Sequence, residues 1–418
     1  MTSPYAQVFR SPRVAAVLIL GFSSGLPLAL TGSTLQAWLT VSGIDVATIA
    51  WFSWAGLPYA LKFLWSPLMD RFIPPLLGRR RGWMFLTQMA LVLGIGAMAF
   101  ASPQDSIWII GSAALFVAFA SASQDIVIDA YRTDVLRAEE RGMGAAVGVF
   151  GYRIAMLASG ALALIMADQI GWRTTSFAMA ALMLVGMSTA WFAPEPEAPG
   201  KVPRSLADAV MQPLRDLLSR PGALSLLALV MLYKFGDALA GTLTTAFLIR
   251  GAGFTPTDVG VVNKGLGLAA LLVGALAGGT LLARLSLYRA MLVFGVLQAV
   301  SNLSFAWLAL AGKSYPLLVF AVGFENLASG MGTAAFVAFA MALCNHSFSA
   351  TQYALLSALA SLGRILFGPL AGRMVEGLGW DGFFVLTFFA AVPGLLLVWL
   401  MRSTIDAVGQ AAMSPSRT

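Results

Sequence analysis

Long runs of apolar residues, separated by short polar turns, dominate the pattern along this chain. A membrane-spanning helix needs roughly 20 mostly apolar residues to cross the hydrocarbon core. A transmembrane β-barrel would instead show alternating segments of about 10 residues, and these runs are too long and unbroken for that. The pattern therefore predicts an all-α integral membrane protein with twelve spans, over residues 14–40, 47–69, 83–101, 107–130, 142–167, 173–193, 222–250, 257–283, 290–311, 316–343, 351–373 and 382–401.

One polar stretch, residues 194–221, divides the predicted spans into two groups of six. It opens with the helix-breaking segment Pro194-Glu195-Pro196-Glu197, and the apolar spacing over 205–219 then predicts a short amphipathic helix. Six spans, a linker and six spans is the layout of transporters built from two related halves. We expect an N-terminal half over 1–193 and a C-terminal half with its tail over 222–418.

Composition excludes several classes of protein. Of the 418 residues, 59% are hydrophobic and only 11% are charged, whereas a soluble protein carries about 25% charged residues. A soluble enzyme and a disordered chain are therefore excluded, and the single cysteine, Cys344, excludes a disulfide scaffold.

The Lys and Arg residues predict the orientation. With the N-terminus in the cytoplasm, 17 of the 26 lie in cytoplasmic segments, 4 on the opposite side and 5 inside spans. The positive-inside rule then places both termini and the linker in the cytoplasm. The net charge of +7 is thus explained by topology, and we expect no nucleic-acid partner.

Ionisable groups inside spans are costly and are candidates for function. The clear cases leave an excess of one positive charge, which favours an anionic solute. The basic members are Lys62, Arg153, Lys234, Lys264 and Arg364, and the acidic members are Asp125, Asp129, Asp237 and Glu325.

Asp125 and Asp129 are four residues apart, so they lie on one face of the fourth span. Two neighbouring carboxylates disfavour joint ionisation, which predicts a proton carrier. The alternatives are an ion pair with Arg153 or, for Asp129, a position at the wet end of the span. Glu325 and Asp237 are the further candidates for proton coupling, although Asp237 could simply neutralise Lys234.

Arg153 and Arg364 occupy matching places in the two halves, within Gly151-Tyr152-Arg153-Ile154 and Gly363-Arg364-Ile365. Arginine keeps its charge and its planar fork suits a carboxylate, so both are candidates for solute contact. The competing interpretation is a structural ion pair with one of the buried acids.

Other polar and aromatic groups complete the predicted solute site. Trp54 could stack on a sugar ring, or it could belong to the interfacial belt, and Lys62 could snorkel to the membrane surface. No ATP-binding, nucleophile or metal-ligand motif is present, so we expect no cofactor or metal. The predicted solute contacts beyond the two arginines are Gln124, Lys62, Lys234, Lys264, Asn326, Gln352 and Trp54.

Three segments carry a resemblance to a known family. Asp70-Arg71 followed by Gly78-Arg79-Arg80-Arg81 resembles the signature loop of the major facilitator superfamily, in a longer form typical of AmpG-type muropeptide permeases. Gly21-Phe22-Ser23-Ser24-Gly25-Leu26-Pro27 and Ser123-Gln124-Asp125-Ile126-Val127-Ile128-Asp129-Ala130 are similar to segments of those permeases. The resemblance implies the major facilitator fold and a gating role for Asp70, Arg71, Arg79 and Arg80.

The resemblance also implies an importer in the bacterial inner membrane. Its solutes would be N-acetylglucosaminyl-1,6-anhydro-N-acetylmuramic acid and its peptide derivatives, taken up by proton symport for peptidoglycan recycling and, in some bacteria, β-lactamase induction and antibiotic resistance. The expected partners are membrane lipids, protons and the glycopeptide, and the expected state is a monomer.

Two alternatives stay open. One is a porter of the same superfamily for another anionic metabolite or drug, such as an acetyl-CoA-like solute. The other is a membrane-embedded glycosyltransferase, for which Asp134, Glu139 and Glu140 would be the candidate acids, although the arginines interleaved with them favour a self-neutralised loop.

Overall fold

The computed structural model describes residues 11–137, 140–196, 206–220, 222–344 and 349–413, and within these ranges it is almost entirely helical, without a β-strand. Nine helical segments among these residues are long and apolar enough to cross a membrane. One of them, Gln352–Leu400, contains two predicted spans, because Gly379 with a φ of 73° breaks the helix. The nine segments thus account for ten of the twelve predicted spans, and the all-α membrane fold is confirmed.

The other two predicted spans, 47–69 and 83–101, are not among the nine long apolar segments. The first is a series of short helices joined by the 3₁₀ turns Phe52–Gly56 and Lys62–Leu64, because Gly56 and Pro58 interrupt a continuous helix. The second begins as a helix at Arg79, and its three initial arginines lower its hydropathy. The full count of twelve stays a prediction.

The chain divides into two compact units, of which the first comprises Met1–Ile44 and Ala55–Arg204. A π-helical turn, Ala158–Leu162, joins its helices α8 and α9. Numbered in chain order, the helices of this unit are α1 (Pro12–Thr31), α2 (Ser33–Val41), α4 (Leu57–Leu61), α5 (Ser66–Arg71), α6 (Arg79–Met98), α7 (Ile107–Val135), α8 (Arg141–Leu157), α9 (Ala163–Ile170) and α10 (Trp172–Phe192).

Helices α1 and α8 pack backbone against backbone in the first unit. A Cβ added to Gly21 or Gly25 of α1 would clash with the carbonyl oxygens of Gly148 and Tyr152 on α8. Gly151 approaches α1 as closely from the other side. Small residues permit this kind of close approach between helices in membranes. The glycines therefore allow the backbones of α1 and α8 to lie in direct contact.

The second unit comprises Asp45–Trp54 and Ser205–Thr418. Two π-helical turns, Phe247–Gly251 and Val259–Leu266, lie within its spans. Its helices are α3 (Val46–Trp51), α11 (Leu206–Leu218), α12 (Ala223–Leu232), α13 (Phe235–Ala246), α14 (Pro256–Asp258), α15 (Gly267–Leu282), α16 (Leu287–Ala311), α17 (Tyr315–Ala342), α18 (Ser349–Leu400) and α19 (Arg402–Met413).

Helix α3 packs on α18 within this second unit. A Cβ added to Gly372 would clash with the backbone of Ala47, and the Ser53 hydroxyl donates a long hydrogen bond of 3.5 Å to the Ile365 carbonyl. The contact units thus cut across the predicted halves at residues 45–54, while the boundaries at 193 and 222 stay a prediction. The helix predicted over the linker is present as α11.

Candidate functional site

A cavity of about 250 Å³ lies in the first unit, between α1, α7 and α8. It brings together three of the predicted site residues, the carboxylates Asp125 and Asp129 and the guanidinium of Arg153. The spacing argument from the sequence therefore placed both acids at one site. The remaining lining residues are Val17, Gly21, Ser24, Ile128, Arg132, Gly148, Val149 and Tyr152.

The two acids have different surroundings. Asp125 is partly buried and accepts a hydrogen bond of 2.5 Å from the Ser24 hydroxyl, and Lys62 acts on it electrostatically. Asp129 is more open, with 58% of its side chain exposed, and forms an ion pair with Arg132 at 3.1 Å. The positive charge of Lys62 therefore stabilises the ionised form of a carboxylate in the first unit.

Arg153 does not pair with either acid. Its side chain makes a weak contact with the Met156 sulfur at 3.7 Å, and its Nε is buried without a hydrogen-bond partner among the described residues. The ion pair with Asp125 or Asp129 that sequence reasoning left open is absent from the described part of the chain. The guanidinium at the cavity wall therefore has free hydrogen-bonding capacity.

Gln124 and Trp54 lie outside this cavity. Gln124 is fully buried, and its Nε2 donates to the Ser23 carbonyl oxygen at 2.8 Å. Trp54 is 45% exposed, packs edge-on against Trp51 and belongs to the second unit. Gln124 is therefore held by α1 and does not line the cavity.

A polar cluster in the second unit centres on Asp237. Its Oδ2 accepts hydrogen bonds from Gln298 at 3.0 Å and Ser329 at 3.1 Å, and it lies 3.7 Å from the Lys234 ammonium. Lys234 also donates to the Thr333 hydroxyl at 2.7 Å. The local ion pair considered from the sequence is therefore present, as part of a wider network.

Lys264, Glu325 and Asn326 adjoin this cluster. Asn326 donates to the Glu325 carboxylate at 2.7 Å, and Asp237 acts electrostatically on Glu325. Lys264 lies on the π-helical turn Val259–Leu266, reaches the Thr245 hydroxyl at 3.4 Å and acts electrostatically on Glu325. Four predicted residues on α13, α17 and this turn thus converge in one network: Asp237, Lys264, Glu325 and Asn326.

Arg364 and Gln352 take different positions on α18. Arg364 is exposed near the middle of its span and has no ion-pair partner among the described residues, although it interacts electrostatically with Asp237. Gln352 is fully buried and donates to Asp216 on α11 at 2.7 Å. The structure thus places Gln352 with the linker helix and apart from the polar cluster.

The predicted gating loop is held by Asp134 of α7 and by Glu195, which follows α10. Arg80 forms an ion pair with Asp134 at 2.8 Å, and the backbone N–H groups of Arg80 and Arg81 donate to the Glu195 carboxylate at 3.1 and 3.2 Å. Arg79 is partly buried and Arg71 is exposed, while the side chain of Asp70 lies outside those described.

Glu140 is one of the candidate acids of the glycosyltransferase hypothesis. In the structure it has a structural role between α7 and α8. It accepts hydrogen bonds from the Ser11 hydroxyl at 2.6 Å and the Arg137 backbone at 3.1 Å. Burial alone would raise the pKa of Glu140, but these hydrogen bonds and the nearby Arg13 outweigh burial. The pKa of Glu140 therefore lies below its usual value. Glu139 lies outside the described residues.

Several site residues escaped the sequence reasoning. Ser24, Tyr152 and Arg132 line the first cavity, and Gln298 and Ser329 bind Asp237. Helical periodicity could have found Arg132, since it lies three residues after Asp129 on α7. Hydroxyls and amides inside spans carry no charge signal, so the others were not distinguishable from packing residues.

Comparison with known proteins identifies the family. The model of the Major Facilitator Superfamily matches residues 17–348. The anhydromuropeptide permease of Escherichia coli (strain K12) is 54% identical over 97% of this chain and 83% of its own length. A putative transporter AmpG 4 of Rickettsia felis is 35% identical over 96% of this chain and 99% of its own.

Solved structures agree on the fold. A POT family transporter in complex with 5-aminolevulinic acid superposes with a TM-score of 0.74, at 11% identity and with 94% and 96% of the two chains covered. A bacterial homologue of the human lysosomal transporter Spinster gives 0.69 at 14% identity, covering all of both chains. Fold and relatives indicate a transporter and overturn the glycosyltransferase alternative. The chain therefore belongs to the major facilitator superfamily and, within it, to the AmpG-type permeases.

Proposed function

We propose that this protein imports anhydromuropeptides, with or without a stem peptide, across the bacterial inner membrane by proton symport. Both termini would lie in the cytoplasm, where 17 of the 26 basic residues are expected. The protein would act as a monomer and supply peptidoglycan recycling.

The proposal depends on one observation, namely that two arginines within spans lack an ion-pair partner among the described residues. Arg153 and Arg364 lie within spans, and among the described residues neither forms an ion pair. A charge at such depth faces protein or a water-filled cavity, because exposure to lipid is costly. Each guanidinium is therefore available for an anionic group of a solute. The lactyl carboxylate of the muramic residue, or the carboxylates of its stem peptide, supply such a group.

Proton coupling rests on the carboxylates beside these arginines. Asp125 and Arg153 line the same cavity without forming an ion pair, so a carboxylate of the solute bound at Arg153 would change the electrostatic field at Asp125 and its affinity for a proton. Solute and proton would then change each other's affinity by the same factor. Asp237 and Glu325 in the second unit are the next candidates for the proton site.

The most informative support for the solute class is the relative from Escherichia coli, whose name is anhydromuropeptide permease. Its identity of 54% is measured over 97% of this chain. The cation excess alone fits any carboxylate-bearing solute, so the class of sugar rests on this relative.

The test is uptake of labelled GlcNAc-1,6-anhydro-MurNAc into proteoliposomes containing the purified protein. We expect accumulation with an inward proton gradient and only equilibration without one. Unlabelled acetyl-CoA and disaccharide serve as competitors. Failure to take up the labelled disaccharide, together with uptake of labelled acetyl-CoA by the same proteoliposomes, would favour the other anionic porter instead.

A further inference from the structure

Helix α1 contains a proline, Pro27, in its interior. In an α-helix the N–H of residue 27 would donate to the carbonyl of Ser23, and proline has no N–H to give. The Gln124 side chain of α7 supplies a donor at that carbonyl, with Nε2 at 2.8 Å from the Ser23 oxygen. An amide from a neighbouring helix therefore takes the place of the hydrogen bond that Pro27 removes.

A second hydrogen bond joins α1 and α7 at the residues next to Ser23 and Gln124. Ser24 follows Ser23 on α1, Asp125 follows Gln124 on α7, and the Ser24 hydroxyl donates to the Asp125 Oδ1 at 2.5 Å. Gln124 is fully buried, so its amide cannot be replaced there by bulk water. Two consecutive residues of α7 are thus bonded to two consecutive residues of α1.

We propose that Gln124 and Ser24 are positioning residues for Asp125: Gln124 fixes α7 to the broken turn of α1, and Ser24 orients and stabilises the ionised Asp125 carboxylate. The idea that Asp125 carries a transported proton rests on the proposed function, whereas the positioning itself does not. The sequence suggested Gln124 as a solute contact. In this proposal Gln124 holds two helices together instead.

Ser24 is distinguishable from the other groups around Asp125 because it bonds directly to the carboxylate. A hydrogen bond to the charged form of an acid favours that form. Other titratable or charged groups act on Asp125 through space or line the same cavity, so a test must leave them unchanged; they are Lys62, Asp129, Tyr59, Tyr152, Arg132 and Arg153.

The first test is a double-mutant cycle on thermal stability, which needs no substrate. Gln124→Leu removes the amide at similar volume and should lower the melting temperature by about 3 °C. In the Pro27→Ala background the helix regains its own N–H donor, so the same change should have little effect. Equal losses in both backgrounds would overturn the role of Gln124, since the amide would then serve another partner.

The second test measures the protonation of Asp125 directly. Carbodiimides modify protonated carboxyl groups in membrane proteins, so the labelling of residue 125 is followed against pH by mass spectrometry. Ser24→Ala should move the labelling midpoint upward by about one pH unit, and Ser24→Thr, which keeps the hydroxyl, should restore it. An unchanged midpoint in Ser24→Ala would overturn the role of Ser24. The Asp125→Asn variant, which has no carboxyl group at residue 125, gives the background level of labelling.

These outcomes separate the inference from the proposed function. If the wild-type protein fails to accumulate the disaccharide, symport of that solute is wrong, yet the stability cycle and the labelling midpoint still decide whether Gln124 and Ser24 position Asp125. If the disaccharide accumulates and both variants behave like the wild type, the transport proposal stands and the positioning proposal is wrong.

Discussion

At the scale of single residues, the proposed function assigns the anionic group of the solute to two arginines. Arg153→Lys and Arg364→Lys keep the positive charge and remove the planar fork that binds a carboxylate through two hydrogen bonds. Losing one charge-assisted hydrogen bond costs about 1.5–3 kcal/mol, which corresponds to roughly tenfold or more in affinity. We expect each variant to lower the apparent affinity for the disaccharide by about that factor, measured by concentration-dependent uptake.

Arg173→Lys is the matched control. Arg173 stacks on the Phe100 ring at 5.3 Å and does not line the cavity of the first unit. The same substitution there should leave uptake unchanged. Wild-type uptake by both site variants would assign Arg153 and Arg364 to helix packing.

In the proposed function, Asp125 is the first candidate for the group that carries the transported proton. In Asp125→Asn the amide imitates a permanently protonated acid, so we expect loss of gradient-driven accumulation while exchange of solute down its own gradient continues. Asp129→Asn should be milder, because Asp129 is exposed and pairs with Arg132. Normal accumulation with normal pH dependence in Asp125→Asn would move the proton site to Glu325 or Asp237.

Glu140 links stability to pH. Because its pKa is lowered in the folded state, the ionised carboxylate stabilises the fold above the unfolded pKa of about 4.3, and this contribution is lost as the pH falls through the folded value. We expect Glu140→Gln to lower the melting temperature at pH 7 and to have little effect near pH 3. Thermal unfolding in detergent at both values is the measurement, and equal effects at both would contradict it.

Sequence reasoning identified the charged residues of the site but not their partners. Charges stand out in an apolar span, so Asp125, Asp129 and Arg153 were found, and their helical spacing placed the two acids on one face. The bond between Gln124 and Ser23 joins residues 101 apart in the chain. No local pattern reports such a pair, and for that reason Gln124 resembled a solute contact.

At the scale of helices, the packing of α1 on α8 depends on glycine. Gly21→Ala and Gly25→Ala each introduce a Cβ that clashes with backbone carbonyl oxygens of α8, which cannot move without shifting the helix. Overpacking of this kind costs about 1–3 kcal/mol. We expect both variants to melt at lower temperature and to lose uptake.

Gly96→Ala on α6 is the control for these two variants. A Cβ at that position meets nothing within 4 Å, so the substitution should be neutral or slightly stabilising. Helix propensity favours Ala over Gly, so destabilisation by Gly96→Ala equal to that of Gly25→Ala would show that contact with α8 does not cause the effect.

The spans were predictable because their apolar length is a local property of the chain. The segment over 47–69 was predicted as one helix, whereas the structure forms short helices and 3₁₀ turns there. Hydropathy is insensitive to such breaks, since a 3₁₀ turn and an α-helix can be equally apolar. Gly56 and Pro58 were the available signals for the interruption.

For the whole molecule, the predicted topology places the linker and both termini in the cytoplasm. In a protein whose single cysteine is replaced by Cys344→Ser, we expect Ser205→Cys to react with a membrane-impermeant maleimide only after the membrane is opened. Gln104→Cys, in the turn before α7, should react in intact cells. Labelling of residue 205 from outside would contradict the topology.

Residues 45–54 have a consequence for how the gene can be divided. They are encoded in the first half and pack in the second unit, so a cut in the linker would produce two polypeptides of which neither corresponds to a contact unit. The same holds for chimaeras between relatives: exchanging everything after the linker would set a native α3 against a foreign α18. We expect such hybrids to require the donor's residues 45–54 as well. These ten residues and the C-terminal half would then have to be exchanged together.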